Sequence, residues 1–443
     1  MAIIVIKFFP DRFNNASKTI DKSYVSITWD KADLRPNPFV YNHGIFLGGD
    51  IRGIIEKLDY IKDLAVGIIY ITPICKSSSN HKYNVEDYFE IDSMFGDDSD
   101  LNELVKKAHK LNIKIVLDLV FNHSSSTHPF FLDVLEKGKD SKFYDWYFID
   151  GEKVNKTNSN YKTFAKVKGM PKLNTNNYEV QEYLLKVGKY FINKFNVDGY
   201  RLDVANEVSH NFWLKFKHEL RILKKDIILI GEIWTNSYKY LHVNEFDSVM
   251  NYAFLNACKD YYARRIIDTE EFKNRLENNL MRYDTNTNYN LLNLIDSHDT
   301  PRFYEFLKPN KDLYLLAVLT LISFVGIPMI YYGAEIFMEG GSDPDNRRGM
   351  RWDKLNLEDN KIKILKEIYN LRNIEAFRTG EMSLKAENDL LIINRFNKEE
   401  SYKVIINNSN KVVQYKTKDK IILKNNYLDN NLVQSSFLVI KEN

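Results

Sequence analysis

An arginine and an aspartate two residues apart, Arg201 and Asp203, stand in the run from Val197 to His210, Val-Asp-Gly-Tyr-Arg-Leu-Asp-Val-Ala-Asn-Glu-Val-Ser-His. Side chains on a strand alternate between faces, so these two point the same way while Tyr200, Leu202 and Val204 point the other. A guanidinium beside a carboxylate holds it ionised and fixes its rotamer, which a carboxylate needs if it is to attack carbon rather than take up a proton. Taken alone, the pair is more simply a structural ion bridge. Three further apolar runs change that reading, because they too end in acids or imidazoles: Asp118-Leu-Val-Phe-Asn122-His123, Gly231-Glu232-Ile-Trp234 and Ser297-His298-Asp299. Such endings would make a poor core, since burying even one unpaired carboxylate is costly. Asp118 reads most simply as a hydrogen-bonding support, and His123 and His298 would each pass for core histidines outside this pattern. Glu232, after Ile-Leu-Ile-Gly, has no comparably simple structural reading. One carboxyl beside an arginine and another in an apolar setting have pKa values pushed apart, which assigns one as nucleophile and the other as acid/base.

The elements that must position these residues are short apolar runs. Ile3 to Phe9, Val66 to Ile71, Ile113 to Val120, Val197 to Val204, Ile227 to Ile233, Tyr289 to Ile295 and Ile327 to Tyr331 have the near-continuous apolar character of parallel strands buried on both faces. Helical patterns alternate with them, two opened by capping-box spacings, Asp100 with Glu103 and Asn176 with Glu179. A weaker strand at Ser248 to Asn251 brings the count to eight, so the fold class expected is α/β, a TIM-type (β/α)8 barrel whose chemistry lies at the carboxyl ends of the strands. More than fifty residues separate Phe121 from Asn176, far beyond an ordinary strand-to-helix loop, and imply an inserted subdomain after strand 3. Beyond Arg378 the pattern alternates between Asn-rich turns, as in a small antiparallel β domain. The expected division is residues 1–121 and 176–378 for the barrel, 122–175 for the insertion and 379–443 for the β domain.

Composition narrows the partners. Sixty-two basic against sixty acidic side chains give no field to recruit nucleic acid or a membrane surface, so a neutral or small substrate is expected. Twenty-eight Tyr, twenty-seven Phe and five Trp suit stacking on sugars, although most of these rings must be core. Cys75 and Cys258 cannot form a disulfide framework and lie at no metal-site spacing, and the first apolar run is too short for a signal peptide, which points to the cytoplasm. Leu313 to Tyr332 is long enough and uncharged enough to suggest a membrane span, but Gly326 and Pro328 divide it into a buried helix and a buried strand.

In order and spacing, Asp118 to His123, Gly199 to Glu207, Gly231 to Trp234 and Ser297 to Asp299 resemble the four signature regions of the α-amylase family of glycoside hydrolases. The likeness runs from about Phe8 to Arg378 and takes in Asn80-His-Lys-Tyr83, Met170-Pro-Lys-Leu173, Tyr331-Tyr-Gly and Asp343-Pro-Asp-Asn-Arg-Arg348. Met-Pro-Lys-Leu, Val-Ala-Asn-Glu and Ser-His-Asp-Thr-Pro-Arg302 look like the neopullulanase, cyclomaltodextrinase and maltogenic amylase branch. The resemblance implies Asp203 as nucleophile, Glu232 as general acid/base and Asp299 as stabiliser of the transition state. It also implies that Arg201 orients Asp203, that His123 and His298 bond sugar hydroxyls, and that Tyr83 stacks on the sugar. Trp234 would border the leaving-group side, with Asp343 and Arg347 closing the far end of the glucose subsites. Asn84, where the family usually has Asp, is expected to loosen the sugar subsite, and Ala334, in the run that is usually Tyr-Tyr-Gly-Asp-Glu, to change only support.

Asn15 and Asp21, with Gly49 and Asp50, match positions that bind calcium in relatives. Ser17 and Ile20 replace expected ligands, so a structural Ca2+ there would lack two side-chain donors of the six to eight it prefers. Members of this branch usually begin with a further β domain that forms a dimer and roofs the cleft. Here the barrel starts near Met1, so a more open cleft is expected, in a monomer or in a dimer made by another surface. The activity expected is retaining hydrolysis of α-1,4, and also α-1,6, bonds in maltodextrins, cyclodextrins or related oligosaccharides, without a required cofactor. An exo-acting α-glucosidase, an oligosaccharide transglycosylase and an inactive glycan-binding relative are the alternatives.

Overall fold

The computed structural model describes residues 4–16, 25–26, 43–157 and 159–442. Eight parallel strands close a barrel: β1 (Val5–Phe8), β2 (Ile68–Ile71), β3 (Lys114–Leu119), β4 (Gly199–Leu202), β5 (Ile228–Gly231), β6 (Ser248–Asn251), β7 (Leu292–Leu294) and β8 (Ile327–Tyr331), each beside its neighbours in sequence and β8 beside β1. They are nearly wholly buried, as runs of Ile, Leu and Val in a two-sided sheet must be. The chain divides into two compact units, Phe8–Leu58 with Ile69–Val249, and Met1–Lys7 with Asp59–Ile68 and Met250–Asn443.

In the first of these units, the register of β3, β4 and β5 sets the chemistry. Asp118 lies opposite Arg201, and Leu202 opposite Gly231, so that Asp203 and Glu232 leave adjacent strands side by side. Helices α1 (Asp98–Lys110), α2 (Pro129–Lys137), α3 (Tyr178–Phe195) and α4 (His210–Leu223) accompany the strands. Two caps differ from the sequence expectation. The capping box of α1 is Asp97 with Asp100, three residues earlier than expected, because the chain turns at Gly96 with φ +122° and the Asp97 carboxylate is the first able to reach the free amides of Ser99 and Asp100. In α3 the cap is Asn177, accepting from the amides of Glu179 and Val180, while the amide of Asn176 is donated to Asn174. Between β3 and α3 the chain forms α2, short 3-10 turns and isolated bridges, among them His123 to Lys172 and Tyr147 to Leu173.

In the other unit, β7 is shorter than the run from Tyr289 to Ile295. Asp284 caps a helix, Thr285–Asn290, that takes in Tyr289, whose hydroxyl donates to the carbonyl of Gly380. The uncharged stretch does split, into α5 (Lys311–Ser323) and β8, at Gly326 with φ +112°, where a Cβ would meet Asn293 Nδ2 at 2.5 Å and the carbonyl of Leu291 at 2.8 Å. Among the described residues no helix is long and apolar enough to cross a membrane. The chain ends in an antiparallel sheet of β9 (Glu381–Glu387), β10 (Leu390–Phe396), β11 (Ser401–Asn407), β12 (Val413–Gln414), β13 (Lys420–Leu428) and β14 (Asn431–Lys441), ordered β9-β10-β11-β14-β12 with β13 also on β14. Leu390, Ile392, Ile405, Leu432, Leu438 and Ile440 form its core.

Candidate active site

Arg201 is fully buried and is the hub of the strand ends in its unit. Its Nη1 donates to both oxygens of Asp118 at 3.0 Å and to Asp203 Oδ1 at 2.9 Å, and its Nη2 lies 2.7 Å from Glu232 Oε1. Burial by itself would lower the pKa of Arg201; the carboxylates of Asp118 and Glu232 outweigh it and hold the guanidinium charged. This corrects one sequence expectation. Glu232 is not in an apolar setting, because the β4–β5 register brings it to the same arginine as Asp203, and an arginine shared by both carboxyls does not tell the two apart.

Glu232 accepts two further hydrogen bonds, from the amide of Val204 to Oε2 at 2.9 Å and from Trp234 Nε1 to Oε1 at 3.1 Å. The first depends on an unusual backbone. Val204 is left-handed, φ 45° and ψ 44°, a conformation that costs a β-branched residue about 1–3 kcal/mol and collects at functional sites. Asp118 accepts from the hydroxyls of Tyr70 at 2.6 Å and Tyr83 at 2.7 Å as well as from Arg201, so it is a support, as its sequence position suggested. Sequence reasoning passed over Tyr70 and the backbone of Val204. Tyr70 had a signal, being the single polar-tipped side chain in the run Val66 to Ile71, whereas nothing in Asp-Val-Ala marks a left-handed valine.

His123 is buried with Nε2 3.1 Å from the carbonyl of Tyr83 and Nδ1 3.3 Å from Asn122 Nδ2, and its ring stacks on Phe164. Burial pushes its pKa down to about 4, so the ring is neutral at pH 7, donating to Tyr83 and accepting from Asn122. Both nitrogens therefore have protein partners in this structure. Trp234 is half exposed. Asn84 is fixed by three serines: its Oδ1 accepts from Ser77 and Ser79, and its Nδ2 donates to Ser78 at 3.1 Å, a bond that an aspartate could not give.

His298, Asp299, Asp343 and Arg347 belong to the other unit. His298 Nε2 lies 3.1 Å from Asp299 Oδ1, and the Asp299 amide donates to Ser297 Oγ. Arg347 donates from Nε to the carbonyl of His298, and its Nη1 lies 2.9 Å from Asp343, with Nη2 3.7 Å from Asp299. Asp299 remains one-quarter exposed, which leaves it accessible to a ligand.

Of the calcium candidates, Asp21 lies outside the described residues. Asp50 Oδ1 caps a short helix by accepting from the amide of Gly53 at 2.6 Å, and also faces the amide of Ala16; the amide of Gly49 donates to the carbonyl of Asp11. Among the described residues no group of three or more His, Cys, Asp or Glu side chains could hold a metal ion.

A closed (β/α)8 barrel carries its chemistry at the carboxyl ends of its strands, and there this chain places its paired carboxyls. Residues 7–367 match the family described as Alpha amylase, catalytic domain, and the chain belongs to the α-amylase family. It is 38% identical over 416 residues to the maltogenic α-amylase of Bacillus acidopullulyticus and 40% identical over 413 residues to the cyclomaltodextrinase of Thermoanaerobacter pseudethanolicus, covering 92% of this chain and 70% of each relative. Among solved structures it is similar to the cyclic α-maltosyl-(1→6)-maltose hydrolase of Arthrobacter globiformis, with a TM-score of 0.89 and 28% identity over 100% of this chain and 98% of that one.

Proposed function

We propose that the chain is a retaining hydrolase of α-1,4, and also α-1,6, glucosidic bonds in maltodextrins, cyclodextrins or related oligosaccharides. Asp203 is the nucleophile, Glu232 the general acid and base, and Asp299 a stabiliser of the transition state. The observation that carries this reading is the single guanidinium gripping Asp203 through one terminal nitrogen and Glu232 through the other. A planar fork keeps its two partners close, which favours the separation of about 5–5.5 Å used by retaining enzymes over the wider gap that admits a water.

In the first half-reaction an oxygen of Asp203 attacks the anomeric carbon, the bond from that carbon to the leaving oxygen breaks, and Glu232 gives that oxygen its proton. In the second, ionised Glu232 takes a proton from water, whose oxygen displaces Asp203 from the same carbon. Two inversions retain the configuration. Positive charge developing on the ring meets a site where one guanidinium serves three carboxylates, an environment set to stabilise it. Val204, Arg201 and Trp234 all donate to Glu232, which suits the ionised form required in the second half.

These steps need no cofactor, so a chelator is expected to leave turnover intact. Two free, buried cysteines suit a reducing compartment, and we place the enzyme in the cytoplasm. The test of mechanism is the anomer first released from maltotriose, followed by proton NMR: the α anomer is expected, and the β anomer would overturn the assignment.

A further inference from the structure

Asp299 stands on a turn, Ser297–Thr300, that follows β7. The turn's own bonds are few: the amide of Thr300 reaches the carbonyl of Ser297 only at 3.4 Å, and the amide of Ser297 donates to Thr300 Oγ1 at 3.0 Å. A bond of 3.4 Å is at the long limit, so the turn takes its shape from outside. Two adjacent residues after β8 clasp it. Asn346 donates from Nδ2 to the carbonyls of Ser297 at 3.3 Å and Thr300 at 2.8 Å, and Arg347 donates from Nε to the carbonyl of His298 at 3.0 Å. The carbonyls on both sides of Asp299 are thus fixed from one short 3-10 turn, Asp345–Arg347.

Asn346 is itself fully buried and firmly seated. Its carbonyl accepts from Arg302 Nε at 3.0 Å. Arg302 lies over the rings of Tyr331 and Tyr332, at 4.4 and 4.8 Å to their centroids, and also donates to the carbonyl of Tyr332 at 2.7 Å, while its amide donates to the carbonyl of Gly340 at 2.9 Å. A Cβ at Gly340 would meet the Cα of Asn346 at 2.7 Å, so the loop packs closely there. An amide is the group this position needs. One –NH2 has two hydrogens to give to two carbonyls, whereas a hydroxyl has one and a carboxylate would repel both. Because the bonds go to backbone, they set where the Asp299 side chain starts and leave its carboxylate one-quarter exposed for a ligand.

We propose that Asn346 is a positioning residue for Asp299, holding through the carbonyls of Ser297 and Thr300 the turn from which that carboxylate meets the charge developing on the sugar. The proposal rests on the reading of Asp299 as stabiliser of the transition state. A misplacement of about 1 Å in such a group is enough to cost about a hundredfold in rate.

The test is a double-mutant cycle on α-maltosyl fluoride, whose fluoride leaves without a proton and keeps slow variants measurable. Asn346→Ala should lower kcat about thirtyfold and change KM less than about threefold. In enzyme that already carries Asp299→Asn, the same change should cost no more than about threefold, because the group that Asn346 positions is gone. Asn346→Thr and Asn346→Val have the same shape and differ by one donor, so the Thr form should turn over about fivefold faster, with folding of each checked by thermal unfolding. If the Ala form does not fold, the Val form takes its place in the cycle. Equal fold-losses in both backgrounds, a loss confined to KM, no loss at all, or equal rates for Thr and Val would overturn the proposal. The cycle also separates the two readings. If Asp299→Asn alone leaves kcat unchanged, the role of Asp299 fails and the proposal falls with it, whereas a large loss there with equal fold-losses in the cycle removes only the part given to Asn346.

Discussion

The two sets of site residues are built differently. Around Arg201 every partner is buried: Asp118, Asp203 and Glu232 are each at most 6% exposed, and their contacts fall between 2.7 and 3.0 Å. Around Arg347 the carboxylates reach solvent, with Asp299 at 25% and Asp343 at 41% exposure, and one contact stretches to 3.7 Å. The first set comes from the ends of adjacent barrel strands, so its geometry is fixed by the sheet. The second comes from segments after β7 and β8 that are anchored through backbone carbonyls and local ion pairs. A rigid, dry cluster suits bond-making groups whose positions must hold to fractions of an ångström, and a wetter one suits groups that adjust as a sugar arrives.

The contrast can be broken first at the chemistry. Asp203→Asn and Glu232→Gln keep shape but remove a nucleophile and a proton donor, and each should lower kcat by about four orders of magnitude with unfolding unchanged. Asp118→Asn, a change in the support, should cost less turnover and more stability. If it matches Asp203→Asn in turnover with the fold intact, the division between support and chemistry is wrong.

Arg201→Lys comes next. An ammonium cannot span carboxylates on two strands as a guanidinium does, and loss of a partner from a buried ion cluster costs on the order of 3–5 kcal/mol. Urea unfolding should show a loss of that size. Arg347→Lys, at the wetter site, should lose under about 1 kcal/mol.

Buried histidines give a pH dependence of intermediate size. Burial pushes both His123 and His128 down to about 4 from the usual 6.5. The unfolded chain takes up these protons as pH falls below 6.5 and the folded chain does not, so this stability is complete above pH 6.5 and is lost as pH falls toward 4. At about 1.4 kcal/mol per unit, each histidine accounts for roughly 3.5 kcal/mol. The drop in urea midpoint between pH 6.5 and 5 should be shallower in His128→Gln than in the parent, and an equal drop would place its cause elsewhere.

The smallest effect is expected at Arg347, whose proposed part is to hold substrate. Arg347→Ala should raise KM for maltotriose about tenfold with kcat changed less, and a loss confined to kcat would move Arg347 into the chemistry.

By itself the sequence determined those features that depend on composition and period. Apolar runs long enough for a two-sided parallel sheet, helical patterns between them and an overlong connection after strand 3 suffice for an eight-stranded barrel with an insertion, since burial of such runs leaves few other arrangements. The order of acids and imidazoles at the strand ends likewise marks the strand-end chemistry, and Arg201 with Asp203 share a face simply because strands alternate. Register is beyond its reach, because a lateral pairing links residues as far apart as Asp118, Arg201 and Ile230 through hydrogen bonds that no local pattern encodes. Register alone gives Glu232 the same arginine as Asp203 and refutes its apolar setting. The edge strand β9 pairs with β10 along its whole length, and its Met382, Leu384 and Ala386 alternate with more exposed polar residues. Val204 is the sharpest case. Its left-handed backbone runs against the preference of valine and persists because the amide of Asp203 before it is donated to the carbonyl of Leu119, that of Ala205 after it to the carbonyl of Glu232, and its own to the Glu232 carboxyl.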